Sequence, residues 1–395
     1  MADTVNKEDT KIEDDEVQPS QMVADTKNML DSVKLSDKEI ELSKDNSEAE
    51  ALYSEFSEFL KVKTGMEEDD GVKNVIPTGI DVLDAVLGGG FAVGAFSVIT
   101  GLSGSGKSML AMQVMAAAQR KFKTLIATFL DSEEATTSKR LANLGVRNPP
   151  IKPYTDITIE KVFKHLEAMC LFKEQKKILD LPSVVVWDSI ANTLSEKERA
   201  AEDINSVIGY KARMLSILVP KYVARVAQYN ICWIAVNQLR DVINMSMFSQ
   251  PKELKFMSTG KSMPGGNVLK YNSFTLLEMK PKSILKPEMY GFEGGISIMA
   301  NSVKNKLFAP NIPVELFGTF TKGFSNFWTS YEFLKKEKRL KAGAWNILID
   351  DPQQKKFRTK DAESLYNDDP EFKKSFDKAI NECIQTEIID KYDNV

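Results

Sequence analysis

Residues 101 to 108 read Gly101-Leu102-Ser103-Gly104-Ser105-Gly106-Lys107-Ser108, a full match to the phosphate-loop pattern GxxxxGK[ST]. Glycines at three of these positions let backbone N–H groups close on phosphate oxygens, and a following helix adds the positive end of its dipole. Lys107 is then placed to neutralise the β- and γ-phosphates, and Ser108 to ligate Mg²⁺. Carboxylates follow two apolar runs. Val184-Val-Val-Trp-Asp188 ends in a group suited to holding Mg²⁺ near Ser108, and Phe129-Leu-Asp131-Ser-Glu133-Glu134 offers a carboxylate that could orient or deprotonate an attacking water. Asp131 and Glu134 are expected to do structural work, as caps of the next helix. The chemistry implied is binding and hydrolysis of a nucleoside triphosphate.

Such groups need a scaffold that brings distant segments to one edge. Ala95 to Thr100 has the composition of a buried strand, and Met109, Leu110, Met112, Val114 and Met115 follow the loop with helical spacing. Further strands are predicted at Thr124 to Leu130, Val184 to Trp187, Cys232 to Val236 and Phe274 to Met279, each separated by enough chain for a helical crossover. This is the pattern of an α/β fold, a mostly parallel twisted sheet covered by helices, whose ligands bind at the C-terminal strand ends. Ile296 to Ser302 and Val314 to Phe320 are expected to make the far edge antiparallel. From about Phe324 a small α+β segment follows, with Trp328, Tyr331 and Phe333 and a polar helix near Phe376 to Ile389. Residues 47 to 62 space Leu52, Phe56, Phe59 and Leu60 as one short amphipathic helix.

The chain has 395 residues and a formal net charge of −4, but the charge is unevenly spread. Residues 1 to 70 hold 21 acidic and 8 basic side chains, residues 361 to 395 hold 10 and 4, and residues 71 to 360 hold 25 and 40. A basic centre between acidic ends suits a polyanion-binding protein with self-competing tails. The first 45 residues lack apolar periodicity and read as a disordered acidic tail. Without a long apolar run or a secretory leader, a cytoplasmic protein with no membrane partner is expected. Cys170, Cys232, Cys383 and the lone His165 are too scattered for a disulfide framework or a metal site.

In their order along the chain, these motifs resemble those of the RecA family of homologous recombinases, including its bacteriophage members. The resemblance runs from about Pro77 to Trp345. It is carried by Thr78 to Asp84, the phosphate loop, Phe129 to Glu133, Leu144 to Val146, Val184 to Ser189, Val236 to Arg240, Gly265 to Lys270, Val303 to Pro310 and Lys341 to Trp345. It implies a RecA-like P-loop ATPase core, with ATP and Mg²⁺ as cofactors. The activity implied is that of a DNA-dependent ATPase, forming filaments and pairing single-stranded DNA with a homologous duplex. By this resemblance Glu133 activates the hydrolytic water, Asp188 is associated with Mg²⁺, and Gln238 senses the γ-phosphate. Lys304 and Lys306, spaced to share one face of a strand, reach the neighbouring subunit's ATP. Lys107, Glu133, Gln238, Lys304 and Lys306 form the catalytic set, while residues 101 to 109, with Met109 the last, and Arg140 hold the nucleotide. Where the family commonly stacks an aromatic ring on adenine, Ala135 to Arg140 has none, and Arg140 offers its guanidinium plane instead.

Two loops are expected to bind DNA. Leu194 to Ile208 is acidic, with Lys197 and Arg199 as its cations. Arg240 to Gly265 interleaves Arg240, Lys252, Lys255 and Lys261 with Phe248 and Phe256, a composition suited to holding a strand by its phosphates and spacing it with apolar wedges, before Gly265 and Gly266. Expected divisions are an acidic tail (1–45), an N-terminal helix and linker that docks on a neighbouring protomer (46–75), the ATPase core (76–322) and a C-terminal α+β part (323–395). The reading is an ATP-dependent strand-exchange recombinase, filamentous on single-stranded DNA, with a single-strand-binding protein and a loader as further partners. A hexameric helicase on the same core and a non-catalytic, ATP-gated filament scaffold are the alternatives.

Overall fold

Strands β1 (Phe96–Gly101), β4 (Ser183–Asp188) and β5 (Ile231–Gln238) are built almost wholly of apolar residues and are buried along nearly their entire length. That is the signature of parallel strands covered on both faces. With β2 (Ile126–Asp131), β3 (Pro153–Tyr154), β6 (Thr275–Ile284), β7 (Gly295–Lys304), β8 (Pro313–Thr319) and β9 (Gly323–Phe324) they form a nine-stranded sheet in the order β9-β8-β7-β6-β1-β5-β4-β2-β3. Strands β6 through β3 in that order are parallel, and β7, β8 and β9 are antiparallel. The computed structural model describes residues 52, 54–56, 72, 74–134, 136–147, 153–241, 257–258, 260–291 and 293–392. Among these, no helix is long and apolar enough to cross a membrane.

Alternation along the strands sends side chains to two cores. Val184, Val186 and Ile234 meet helix α1 (Lys107–Lys121), while Val185, Trp187 and Trp233 meet α2 (Ile159–Lys176) and α3 (Tyr210–Gln228). In the second core Trp187 and Trp233 stack at 6.3 Å, and Phe163 of α2 packs edge-on against both. Helix α4 (Asn326–Lys336) and helix α5 (Pro370–Ile384) bring Phe327, Phe372 and Phe376 into the first core, so it runs without a break into the C-terminal segment.

Several boundaries differ from expectation for identifiable reasons. Strand β6 continues past Met279 through Pro281 to Ile284. Its pairing with β1 ends at Met279, while pairing with β7 runs on to Ile284 through an irregularity in register between Pro281 and Ser283, the kind of position at which a strand accommodates a proline. The expected loop 194–208 is instead a short helix, Glu196–Ala200, and a 3₁₀ turn, Ile204–Val207. Ser195 and Glu198 form a reciprocal capping box at its start. The expected loop 240–265 begins and ends as a two-stranded ribbon, Arg240–Asp241 against Lys261–Ser262. Leu52 and Ser54 to Phe56 are helical, while Phe59, Leu60 and the acidic tail lie outside the described residues.

Trp187 is fully buried at the centre of an aromatic cluster, so Trp187→Ala should lower unfolding free energy by about 3–5 kcal/mol. Ile217→Ala, on an exposed face, should change it by roughly 0.5 kcal/mol or less. Urea denaturation of both variants checks this, and equal effects would mean that the described packing is wrong.

Candidate active site

Parallel pairing brings the C-terminal ends of four strands to within two residues of one level: Asp131 is opposite Asp188, Asp188 opposite Val236, and Gln238 opposite Gly101. Above these ends lies a cleft lined by Ser103, Gly104, Gly106, Lys107, Ser108, Met109, Glu133, Arg140, Asp188 and Gln238, together with Ser189, Val236 and Phe320. Ten residues predicted from the sequence to handle nucleotide or metal thus meet in one place. Gly101, Leu102 and Ser105 of the phosphate loop do not line this cleft.

The phosphate loop turns from β1 into α1 through Gly104 and Gly106, whose φ angles of 74° and 77° are left-handed. A Cβ on Gly104 would touch nothing within 4 Å, which leaves the loop open on the cleft side. At Gly106 a Cβ would come within 2.7 Å of the Phe324 ring. Lys107 is buried and its Nζ donates to the Leu102 carbonyl (2.7 Å) and to Ser105 Oγ (3.4 Å). Burial lowers the Lys107 pKa, opposed by the negative charges of Asp188 and Glu133.

Asp188 is buried, accepts a hydrogen bond from Ser108, and keeps Oδ1 with no hydrogen-bond partner among the described residues. Burial pushes its carboxyl from 3.8 up to about 7, Glu133 and Asp131 add to the rise, and Ser108 and Lys107 oppose it. A buried carboxylate oxygen without a partner is costly, and a divalent cation beside Ser108 would satisfy it. The residues present therefore fit Mg²⁺.

Glu133 reaches the cleft from the turn after β2. Its Oε1 accepts from Asn192 Nδ2 (2.7 Å), Ser189 Oγ (3.1 Å) and Gln238 Nε2 (3.3 Å). Asp131 Oδ1 accepts from Glu133 N (3.0 Å) and Oδ2 from Thr136 N (2.8 Å), which shapes the turn that presents Glu133. Glu134 accepts from Asp156 N, and Thr137 caps the next helix, so the structural role foreseen for Asp131 and Glu134 falls on turns rather than on that cap.

Phe320, Ser189 and Asn192 were not foreseen. Phe320 sits on the turn between β8 and β9, far from Arg140 in sequence, and no local pattern marks a lone aromatic there. That turn is held to the phosphate-loop helix by Gln113, whose Nε2 donates to Phe324 O (2.9 Å) and whose Oε1 accepts from Phe324 N (2.8 Å).

Lys304 and Lys306 do not line this cleft. Lys304 Nζ donates to the carbonyls of Lys270 (3.1 Å) and Tyr271 (2.7 Å) at the end of the helix Asn267–Asn272. Strand β7 ends at Lys304, so Lys306 lies beyond it and does not share a strand face; its ammonium stands 5.6 Å from the Phe274 ring. Of the expected DNA contacts, Arg199 is bonded to Asp156 and Ile157, Lys197 lies over Tyr210, and Arg240 is exposed. Lys261 is half-buried on the ribbon, and Gly265 and Gly266 are left-handed at the start of the helix 267–272. Phe248, Lys252, Lys255 and Phe256 lie outside the described residues.

Residues 50–325 match the model of the RecA N-terminal domain family. Protein RecA of Treponema denticola is 29% identical to the chain over 303 residues, an alignment covering 75% of this chain and 67% of that protein.

A carboxyl whose pKa is raised by folding contributes stability at low pH that is lost as pH climbs through the raised value. With divalent metal chelated, the contribution of Asp188 should therefore decay between about pH 4 and about pH 7. Asp188→Asn should flatten that part of a melting-temperature profile, and Mg²⁺ should restore stability at the upper end only in the parent. Identical profiles for parent and variant would show that Asp188 is ionised throughout.

Proposed function

The chain belongs to the RecA family, and from that membership we propose that it is an ATP-dependent DNA strand-exchange recombinase, working as a helical filament on single-stranded DNA. The observation that carries this reading is the convergence of Lys107, Ser108, Asp188, Glu133 and Gln238 on one cleft. In the proposed reaction, backbone N–H groups of residues 103–108 and the α1 N-terminus take the phosphate oxygens. Lys107 exchanges the Leu102 carbonyl for the β- and γ-phosphates. Ser108 and Asp188 would hold Mg²⁺, which would supply charge neutralisation at the transferring phosphoryl group.

Glu133 orients the attacking water and accepts its proton. Asn192 and Ser189 hold the carboxylate in place by donating to the same oxygen, which leaves Oε2 for the water. Gln238 must leave Glu133 to meet the γ-phosphate, and a neutral amide can make that exchange without stranding a charge. Arg140 and Phe320 form the base-binding end, so the aromatic surface missing beside Arg140 comes from the β8–β9 turn. Lys304 and Lys306, outside their own subunit's cleft, serve the ATP of the neighbouring protomer, with residues 46–75 docking between protomers. The segments 194–208 and 240–266, with Lys197, Arg199, Arg240, Phe248, Lys252, Lys255, Phe256 and Lys261, bind the DNA. A single-strand-binding protein and a loader assist in the cytoplasm.

Steady-state ATP hydrolysis with and without long unstructured single-stranded DNA, across a salt titration, tests the reading. Strong stimulation that weakens as salt rises is expected, because phosphate contacts release counterions. Turnover indifferent to DNA would overturn it. Glu133→Gln should keep ATP and DNA binding while slowing turnover by about tenfold or more. Unchanged turnover would remove Glu133 from the mechanism.

A further inference from the structure

Strand pairing sets Glu278, Thr100 and Asn237 side by side across β6, β1 and β5, and Met279, Gly101 and Gln238 in the adjacent row. Successive rows of a sheet face opposite sides. The second row opens on the nucleotide cleft through Gln238. The first row faces the other way, and both of its longer polar side chains bond to the chain that leads into the helix 267–272, at Ser258 and at Pro264. Glu278 Oε1 accepts from Ser258 Oγ, and Oε2 accepts from Ser258 N (3.1 Å). Asn237 Nδ2 donates to the Pro264 carbonyl (2.8 Å). Met257 and Met263 are buried beside these contacts in the second core.

Glu278 has no solvent exposure, and a carboxylate in that position is tolerated only when its oxygens are bonded. Ser258 supplies a bond to each oxygen, and Lys280 Nζ stands 3.8 Å from Oε1. Detaching Ser258 would leave a buried charge short of partners, so the pair resists displacement. Between the two anchors Thr100 Oγ1 is buried with no hydrogen-bond partner among the described residues. The row therefore holds the returning limb at two defined points rather than along a continuous ladder.

We infer that Glu278 is a positioning residue for DNA: by latching Ser258 it fixes, together with Asn237, the limb from Met257 to Gly265 on which the 240–265 DNA-binding segment re-enters the core. The inference rests on the functional reading above. Asn237 and Gln238 are consecutive, one on each face of β5, so the anchored limb and the nucleotide-facing amide share one strand end. The latch sets how well the segment is ordered for single-stranded DNA, and ordering a loop before binding lowers the entropic cost of association.

The test is ATP turnover as a function of single-stranded DNA concentration. Glu278→Ala should raise the DNA concentration for half-maximal stimulation by about tenfold or more, while KM for ATP without DNA stays within about twofold. Glu278→Gln keeps one acceptor for Ser258 and should stay within about threefold of the parent. Ser258→Ala removes one hydroxyl from the limb, so it tests the latch even where Glu278→Ala does not fold, and it should shift the DNA dependence in the same direction. The double variant should be no worse than the larger single, because the two act through one contact. Unchanged DNA dependence in Ser258→Ala and Glu278→Ala, or effects that multiply, would overturn the latch. If the parent itself is not stimulated by DNA, the functional reading fails and the latch falls with it; stimulation of the parent with silent variants defeats the latch alone.

Discussion

Backbone hydrogen bonding between parallel strands decides where every charged group of the cleft stands. Asp131, Asp188, Gln238 and Gly101 come from segments far apart in the chain, yet register between β2, β4, β5 and β1 brings their strand ends to within two residues of one level. Strands buried on both faces can hold this register because a one-residue slip would turn each apolar side chain toward the wrong core. The stacked Trp187 and Trp233, in adjacent strands, show how closely that register is packed. Polar chemistry is then confined to the last residue or two of each strand, where the sheet ends and side chains reach the cleft.

That confinement has an electrostatic consequence. Asp188 at the end of β4 has Asp131 and Glu133 for neighbours, so three carboxyls crowd one corner while Lys107 is turned to the Leu102 carbonyl. Burial and like charge both disfavour ionised Asp188, and the same two effects make the corner receptive to a cation. Ser132 ties the corner together: its Oγ lies 3.1 Å from the Asp188 carbonyl, 3.0 Å from the Ser189 carbonyl and 2.9 Å from Ser189 N. The corner is thus held by backbone contacts that do not depend on the protonation of Asp188.

Much of this was legible in the sequence wherever the signal was local. The phosphate loop is eight consecutive residues, β4 and β5 carry apolar runs that end in polar residues, and β1 is a largely apolar run interrupted by Ser97, so strand, loop and site could be placed together. Legibility failed where the determinant was tertiary. Phe320 enters the cleft because β8 and β9 fold back across α1, which no spacing near Arg140 could announce. Strand β6 runs on to Ile284 because β7 stays paired with it after β1 has ended, a tertiary fact that the residues after Met279 do not announce. The helix at 196–200 is a different case, since Ser195 and Glu198 carried a capping-box signal that charge composition obscured.

The phosphate loop and the Phe320 end of the cleft are mechanically one unit. Gln113 on α1 holds the backbone of Phe324 by a donor and an acceptor, and the Phe324 ring closes on Gly106, where a Cβ would approach to 2.7 Å. Gly323 is equally constrained, since a Cβ there would meet Gln113 at 2.7 Å. A larger residue at either glycine would pry the β8–β9 turn away from the loop and carry Phe320 with it. Phe320 at the far end of the cleft is therefore positioned by the helix that follows the phosphate loop, so any movement of α1 is transmitted to that end of the cleft through two hydrogen bonds and one ring contact.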